Sequence, residues 1–245
     1  MSKLLRKAAA RLHKRWIKHE TGRFLQSRQR LRALLAAVDR ESESVGLSSY
    51  KYVSLYRMIT RIRPGYVLEC GTGKSTFVIA QAMCENGNGV KLISLEESRE
   101  WAERQEGAID RIFNRPQAAD WFPGSGRNLV ELVHSKTEAD RHRSWAGIRY
   151  ADHREYPYDF ILVDGPALTD AYFINMDLIY VLKHFSEKVS IWVDGRWAVA
   201  AMCRALFGDK TVHRPGWSHT EVYGATRADL ARDIGEIGRE MTRML

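Results

Sequence analysis

From about residue 64 onward the chain alternates short, nearly unbroken apolar runs with longer amphipathic ones, and few folds satisfy that pattern. The apolar runs, read as strands, are Tyr66–Cys70, Val90–Leu95, Leu129–His134, Tyr158–Val163 and Val189–Val193. Between them, helical periodicity spans Ser75–Glu85, Ser98–Phe113, Tyr172–Phe185 and Trp197–Phe207. Strands without polar alternation are buried on both faces, and intervening helices supply the crossovers that parallel strands need. The expectation is a doubly wound, mostly parallel α/β sheet. A further strand at Thr220–Tyr223 and a helix from Arg227 complete the tail. Ligands of such sheets bind beyond the carboxyl ends of the strands, so the motifs are read there.

The first forty residues are of another kind. Leu4, Leu5, Ala8, Leu12, Trp16 and Ile17 recur at helical steps among cations, and a second helix over roughly 24–40 carries Leu25, Leu31, Leu34, Leu35 and Val38. The polar stretch ESESVGLSS then reads as a connector, and a helix over 50–62 stops at Arg63-Pro64-Gly65. Residues 1–40 hold twelve Lys or Arg against Glu20 and Asp39, a net of +10. The whole chain carries +8, so residues 41–245 carry −2. The basic character belongs to the extension and not to the sheet domain. The division expected is a basic helical extension at 1–48, separable from the fold, and a sheet domain at 49–245. The extension reads as a solvated face, a helix lying on an anionic membrane surface, or a contact for nucleic-acid phosphates. Its apolar stripe with Trp16 favours a membrane or partner over nucleic acid.

Three cysteines, Cys70, Cys84 and Cys203, stand far apart without C-x-x-C spacing. They exclude a disulfide scaffold and a cysteine-rich zinc module, and suit a reducing compartment, the cytoplasm by default. No apolar run reaches the length of a membrane span, and the basic start is a poor secretory signal.

After the first strand comes Glu69-Cys70-Gly71-Thr72-Gly73-Lys74-Ser75-Thr76, running straight into a helix. Glycines at alternate positions let the backbone turn tightly and approach a ligand. The letters GKST suggest a nucleotide triphosphatase, but that loop needs a glycine where Leu68 stands. The dinucleotide fingerprint needs its third glycine at Thr76. A tight turn with no ligand is the plain alternative. A fourth reading employs Glu69, for an acid before the loop suits a ligand with an amine and hydroxyls. The second strand ends in Leu95-Glu96-Glu97, where a carboxylate can accept from both ribose hydroxyls. Asp159-Phe160-Ile161-Leu162-Val163-Asp164-Gly165-Pro166 ends a later strand in an acid and a turn.

Together these segments resemble the class I S-adenosylmethionine-dependent methyltransferases, over residues 64–225. The resemblance implies a Rossmann-like methyltransferase sheet and an acid-x-Gly-x-Gly motif at Glu69, Gly71 and Gly73. It also implies cofactor contacts from Thr72 and Ser75, and a ribose-binding acid at Glu96 with Glu97 as its rival. VLECGTGKST, LEESREWA, DFILVDGP and IWVDGRW look most like the small-molecule and sugar O-methyltransferase branches. The implied function is O-methylation of a sugar, glycan or other small hydroxyl compound. A catalytically silent binding subunit, or an NAD- or ATP-binding enzyme, is the alternative.

In that family the cofactor's sulfonium makes its methyl group electrophilic, and the protein positions the reactants and helps remove a proton. Asp164 is the candidate catalytic acid or base, with a turn cap as its structural alternative. Asp194, ending the next strand, could face it. Catechol-type relatives hold a divalent metal such as Mg2+ with acids at these ends, but their Asp-Asn pair is Asp194-Gly195 here, and two carboxylates alone make an incomplete oxygen cage. His213 and His219, flanking Pro215-Gly216-Trp217, are alternative bases or solvated loop residues. The WFPGSG run at 121–126, Trp145 and Tyr150 either wall a substrate or cover the sheet.

Overall fold

The computed structural model describes residues 3–42, 48–124, 126–168, 173–214 and 218–232, with side chains from Leu12 onward except Lys14. Pro215-Gly216-Trp217, Tyr172 and the side chains of Leu4, Leu5 and Ala8 lie outside the described residues.

Three helices come first, α1 (Lys3–Ser27), α2 (Gln29–Glu41) and α3 (Ser49–Ile62). Then follow β1 (Tyr66–Cys70), α4 (Lys74–Asn86), β2 (Lys91–Glu96), α5 (Arg99–Phe113), the single turn α6 (Ala118–Trp121) and β3 (Val130–His134). A hairpin of β4 (Thr137–His142) and β5 (Trp145–Tyr150) leads to β6 (Phe160–Val163), α7 (Asp177–His184), β7 (Lys188–Asp194) and α8 (Trp197–Phe207). Next come β8 (Thr211–Arg214) and β9 (His219–Thr226).

Seven strands form one sheet in the order β3-β2-β1-β6-β7-β9-β8. The first five in that order are parallel, and β9 and β8 extend the edge antiparallel. Strand order reverses between β1 and β6, which places a crevice at their carboxyl ends. The expected doubly wound sheet is therefore present.

Period-two alternation sorts the core onto two faces. Phe160 and Leu162 of β6 and Val67 of β1 pack with α2, α3, α4 and α5. Ile161 and Val163, with Leu68 and Cys70, pack with α7 and α8. Ser98 caps α5 by accepting from the Trp101 N–H at 3.2 Å, a contact of the kind whose loss costs about 1 kcal/mol. Arg63 ends α3 in the left-handed region with φ +56°.

The extension is not of one kind. Leu31, Leu34, Ala37 and Val38 of α2 are buried against α4 and α5, each large side chain contributing roughly 1.5–3 kcal/mol. The boundary expected at residue 48 thus runs through a shared core. On α1, Ile17 is buried while Leu12 and Trp16 are exposed.

Other expectations are corrected. The helix expected from Tyr172 has its described start at Asp177, because Asn175 is held in a β-bridge with Ile148 of β5. The helix expected from Arg227 is a 3-10 turn over Arg227–Ala231 as far as the described residues reach. His213 belongs to a strand, and Trp145 and Tyr150 are buried in the core on β5 instead of walling a substrate. Trp121 and Phe122 are likewise buried. Among the described residues no helix is long and apolar enough to cross a membrane.

Candidate active site

At the carboxyl ends of β1, β2, β6 and β7 lies a cavity of about 420 Å3, lined by Gly71 through Ser75, Glu96, Glu97, Trp101, Asp164, Gly165, Asp194 and Arg196, with Tyr52 from α3. Of the residues expected to bind the cofactor or to act in catalysis, Gly71, Thr72, Gly73, Ser75, Glu96, Glu97 and Asp164 line it and Glu69 does not.

The loop after β1 is held by backbone. Gly71 N–H donates to the Leu95 carbonyl at 2.9 Å, and Asp164 N–H donates to the Cys70 carbonyl at 2.9 Å. Gly71 has φ +92°, and a Cβ there would sit 2.9 Å from the Gly165 nitrogen. A Cβ on Gly165 would in turn lie 2.6 Å from Gly71 and 2.5 Å from the Tyr150 hydroxyl. The two turns therefore touch through glycines, and neither position has room for a side chain.

Strand parity explains Glu69. It faces the same side as Val67, toward α4, where it is fully buried. Ser75, Thr76 and Ser94 donate hydroxyls to it at 2.5, 2.6 and 2.7 Å. Burial pushes its carboxyl up to about 7, against those three hydrogen bonds. Glu69 fastens the loop to the first turn of α4 and is not placed to meet a ligand. Ser75 lines the cavity, but its hydroxyl is committed to Glu69.

Glu96 and Glu97 are held by different parts of the fold. Glu96 accepts the Thr72 N–H at 3.3 Å on one oxygen and the Ser98 N–H at 3.0 Å on the other. Each oxygen retains a lone pair, and burial pushes the carboxyl up to about 7. Glu97 accepts the Tyr150 hydroxyl at 2.6 Å on one oxygen and the Ala167 N–H at 2.8 Å on the other, tying β5 to the turn after β6. Trp101 closes this side, its indole N–H donating to the Thr72 carbonyl at 3.1 Å.

The other end of the cavity is ionic. Burial, and then the charge of Asp194, push Asp164 up to about 7, opposed by Arg196 and Lys51. Asp194 pairs with Lys51 of α3. Arg196 donates to the backbone carbonyl of Asp164, to that of Pro166 at 2.9 Å and to the Asn175 side chain at 3.0 Å. Lys51, Tyr52, Trp101 and Arg196 were missed in the sequence. Only Arg196, directly after the strand-ending Asp194-Gly195, stood in a position that signalled it.

This donor set does not fit a divalent cation. Asp194 is spent on an ammonium, a guanidinium borders Asp164, and no cluster of three metal-ligating side chains occurs among the described residues. Nor does Lys74 act as a phosphate clamp, for it pairs with Asp39 of α2 at 2.8 Å. His219 and His213 do not line the cavity. The His219 ring turns onto Trp192 with centroids 4.7 Å apart, and His213 bonds Thr220 at 3.0 Å.

Several solved structures are similar to the chain. The O-methyltransferase from Bacillus cereus, solved with SAH, is 16% identical over 77% of this chain and 74% of its own, with a TM-score of 0.44. A putative O-methyltransferase from Klebsiella pneumoniae is 15% identical over 80% and 89%, with a TM-score of 0.48. The O-methyltransferase of tomaymycin synthesis from Streptomyces achromogenes, solved with SAM, is 18% identical over 87% and 77%, at 0.41. No curated protein sequence matches. A profile described as a methyltransferase domain matches residues 68–195, just over half of the chain, from β1 through the turn after β7. That span holds the glycine loop, both glutamates after β2 and both strand-ending aspartates, so the resemblance to the class I adenosylmethionine-dependent enzymes is borne out: the chain belongs to the methyltransferase domain family.

Proposed function

We propose that the protein is an S-adenosylmethionine-dependent O-methyltransferase acting on a small hydroxyl compound of the sugar or glycan type. One observation carries this reading: Glu96, at the wall of the cavity, keeps acceptor capacity on both oxygens directly beside the glycine loop. That pairing suits a ribose and its flanking amino acid better than a pyrophosphate, since carboxylates crowd the wall and the one loop lysine is paired elsewhere. Gly71 to Gly73 would pass along the ligand, Glu96 would accept its ribose hydroxyls, and Trp101 would cover it.

When bound, the cofactor supplies an electrophilic methyl group. The chain's own part is to orient a hydroxyl and take its proton. Asp164, with an affinity for protons raised to about 7, is suited to both. The Asp164 carboxylate would orient the acceptor hydroxyl and take up its proton as that hydroxyl is methylated. Arg196, fixed on the Asp164 carbonyl, and Lys51 keep that end of the cavity electrically balanced.

Titration calorimetry with adenosylhomocysteine tests the assignment. Native protein should bind, and Glu96→Ala should bind at least about tenfold more weakly, since it loses hydrogen bonds to a charged acceptor. Equal affinity in the two folded proteins would sink the reading, and binding of NAD or ATP in its place would replace it.

A further inference from the structure

We propose that a second cavity, beside the first and under α1 and α3, binds a phosphate group, and that this phosphate is carried by the methyl acceptor. The second half of that statement rests on the methyltransferase reading; the first does not. The cavity measures about 320 Å3 and is lined by Arg57 and Arg61 of α3, Arg214 of β8, Tyr223 of β9 and Trp16 of α1.

Its floor is a closed polar network. Glu221 accepts from the Arg214 guanidinium at 3.0 Å, from the Tyr223 hydroxyl at 2.9 Å and from the Ser54 hydroxyl at 3.3 Å, and bonds the His219 ring at 3.1 Å. Although burial raises its proton affinity, hydrogen bonds from His219 and Tyr223 and the Arg214 charge bring it down to about 2. The one carboxylate of the pocket is thus ionised and balanced by Arg214.

Arg57 and Arg61 have no such counterpart. The Arg57 guanidinium sits over the Phe24 ring at 4.3 Å and that of Arg61 over Tyr223 at 5.2 Å. Among the described residues neither forms an ion pair with a carboxylate. A guanidinium resting on a ring keeps its in-plane N–H edge for a planar or tetrahedral oxyanion. Two cations one helical turn apart also repel, and an anion held between them removes that repulsion.

The position of the pocket points to an acceptor. His219 pairs with Asp194 across β9 and β7, and Ser54 lies one turn along α3 from Lys51, which holds Asp194. The two cavities therefore adjoin. Along α3, Arg57 and Arg61 stand roughly 9 and 15 Å from Lys51, the reach of a phosphorylated sugar or short glycan whose hydroxyl lies at Asp164.

The test titrates the full chain with inorganic phosphate and with glucose 6-phosphate against glucose, and with adenosylhomocysteine in parallel. Both phosphates should bind, glucose alone at least tenfold more weakly, and the Arg57→Gln, Arg61→Gln double variant should lose at least tenfold in phosphate affinity. Each single variant should lose part of it, which keeps the test open if the double variant does not fold. Unchanged phosphate affinity in the folded variants, or none in the native chain, overturns the pocket. Arginine-dependent binding to phosphatidylglycerol vesicles without binding of either soluble phosphate overturns it in favour of a membrane surface. Phosphate bound with adenosylhomocysteine refused leaves the pocket standing and removes the methyltransferase reading.

Discussion

The two ends of the main cavity are built on different principles. At the ends of β1 and β2 the wall is main chain and carboxylates fixed by neutral donors, backbone N–H groups on Glu96, with Glu69 behind the wall held by hydroxyls. Under β6 and β7 it is side-chain ions, with Asp164 and Asp194 set among Lys51 and Arg196. The first end has a fixed shape. The second is a set of paired ions, the setting that the proton transfer proposed for Asp164 would use.

The sharpest way to break the comparison is Gly71→Val. A branched side chain at φ +92° within 2.9 Å of Gly165 adds backbone strain to overpacking, a cost of about 3 kcal/mol or more. Thermal melting should show the loss, and adenosylhomocysteine should no longer bind; a stable variant that still binds would show the loop to be adaptable. Next is Asp164→Asn, which keeps shape but removes basicity. Methyl transfer should fall about a hundredfold while adenosylhomocysteine affinity holds, and a fully active variant would make Asp164 a turn residue.

Lys51→Met should act more gently. Lys51 lowers the proton affinity of Asp164, so its loss lets that value climb above about 7. A base works deprotonated, and the rising limb of the pH–rate profile should therefore move to higher pH. A profile that stays in place would separate α3 from the chemistry.

The smallest effect concerns Glu69. Its carboxyl rises from 4.5 in the unfolded chain to about 7 in the fold, so the folded state binds the proton more tightly. That contribution to stability is complete below about pH 4.5 and disappears as pH rises toward 7. Glu69→Gln should flatten this part of the melting-temperature profile, and an unaltered slope would mean that Glu69 is ionised throughout.

The first end was legible in the sequence because it depends on glycine spacing and on acids at strand ends, which are local features. Gly71, Gly73 and Glu96 could be placed from neighbouring residues alone, and so could Asp164 at the other end. Lys51 could not: it meets Asp194 across 143 residues, and a lysine on an amphipathic helix carries no mark of that partner. The β4–β5 hairpin escaped notice for a different reason. Its two-residue turn is Arg143-Ser144, with Arg143 at φ +54°, where the usual signal is Asn-Gly or Asp-Gly. Glu69 was identified as a site residue but given the wrong neighbour. Parity along β1 turns it toward α4, and that only becomes evident once the two core faces are sorted.

The burial of α2 has a consequence for how the protein is made. Leu31, Leu34 and Val38 find their cover on α4 and α5, and α4 ends only at Asn86. A ribosome adding about 5–20 residues per second releases α2 several seconds before that cover exists. Through that interval the nascent chain displays a strongly basic segment with an uncovered apolar stripe. Its early handling by chaperones, nucleic acids or membranes is thus set by a surface that the finished protein no longer has.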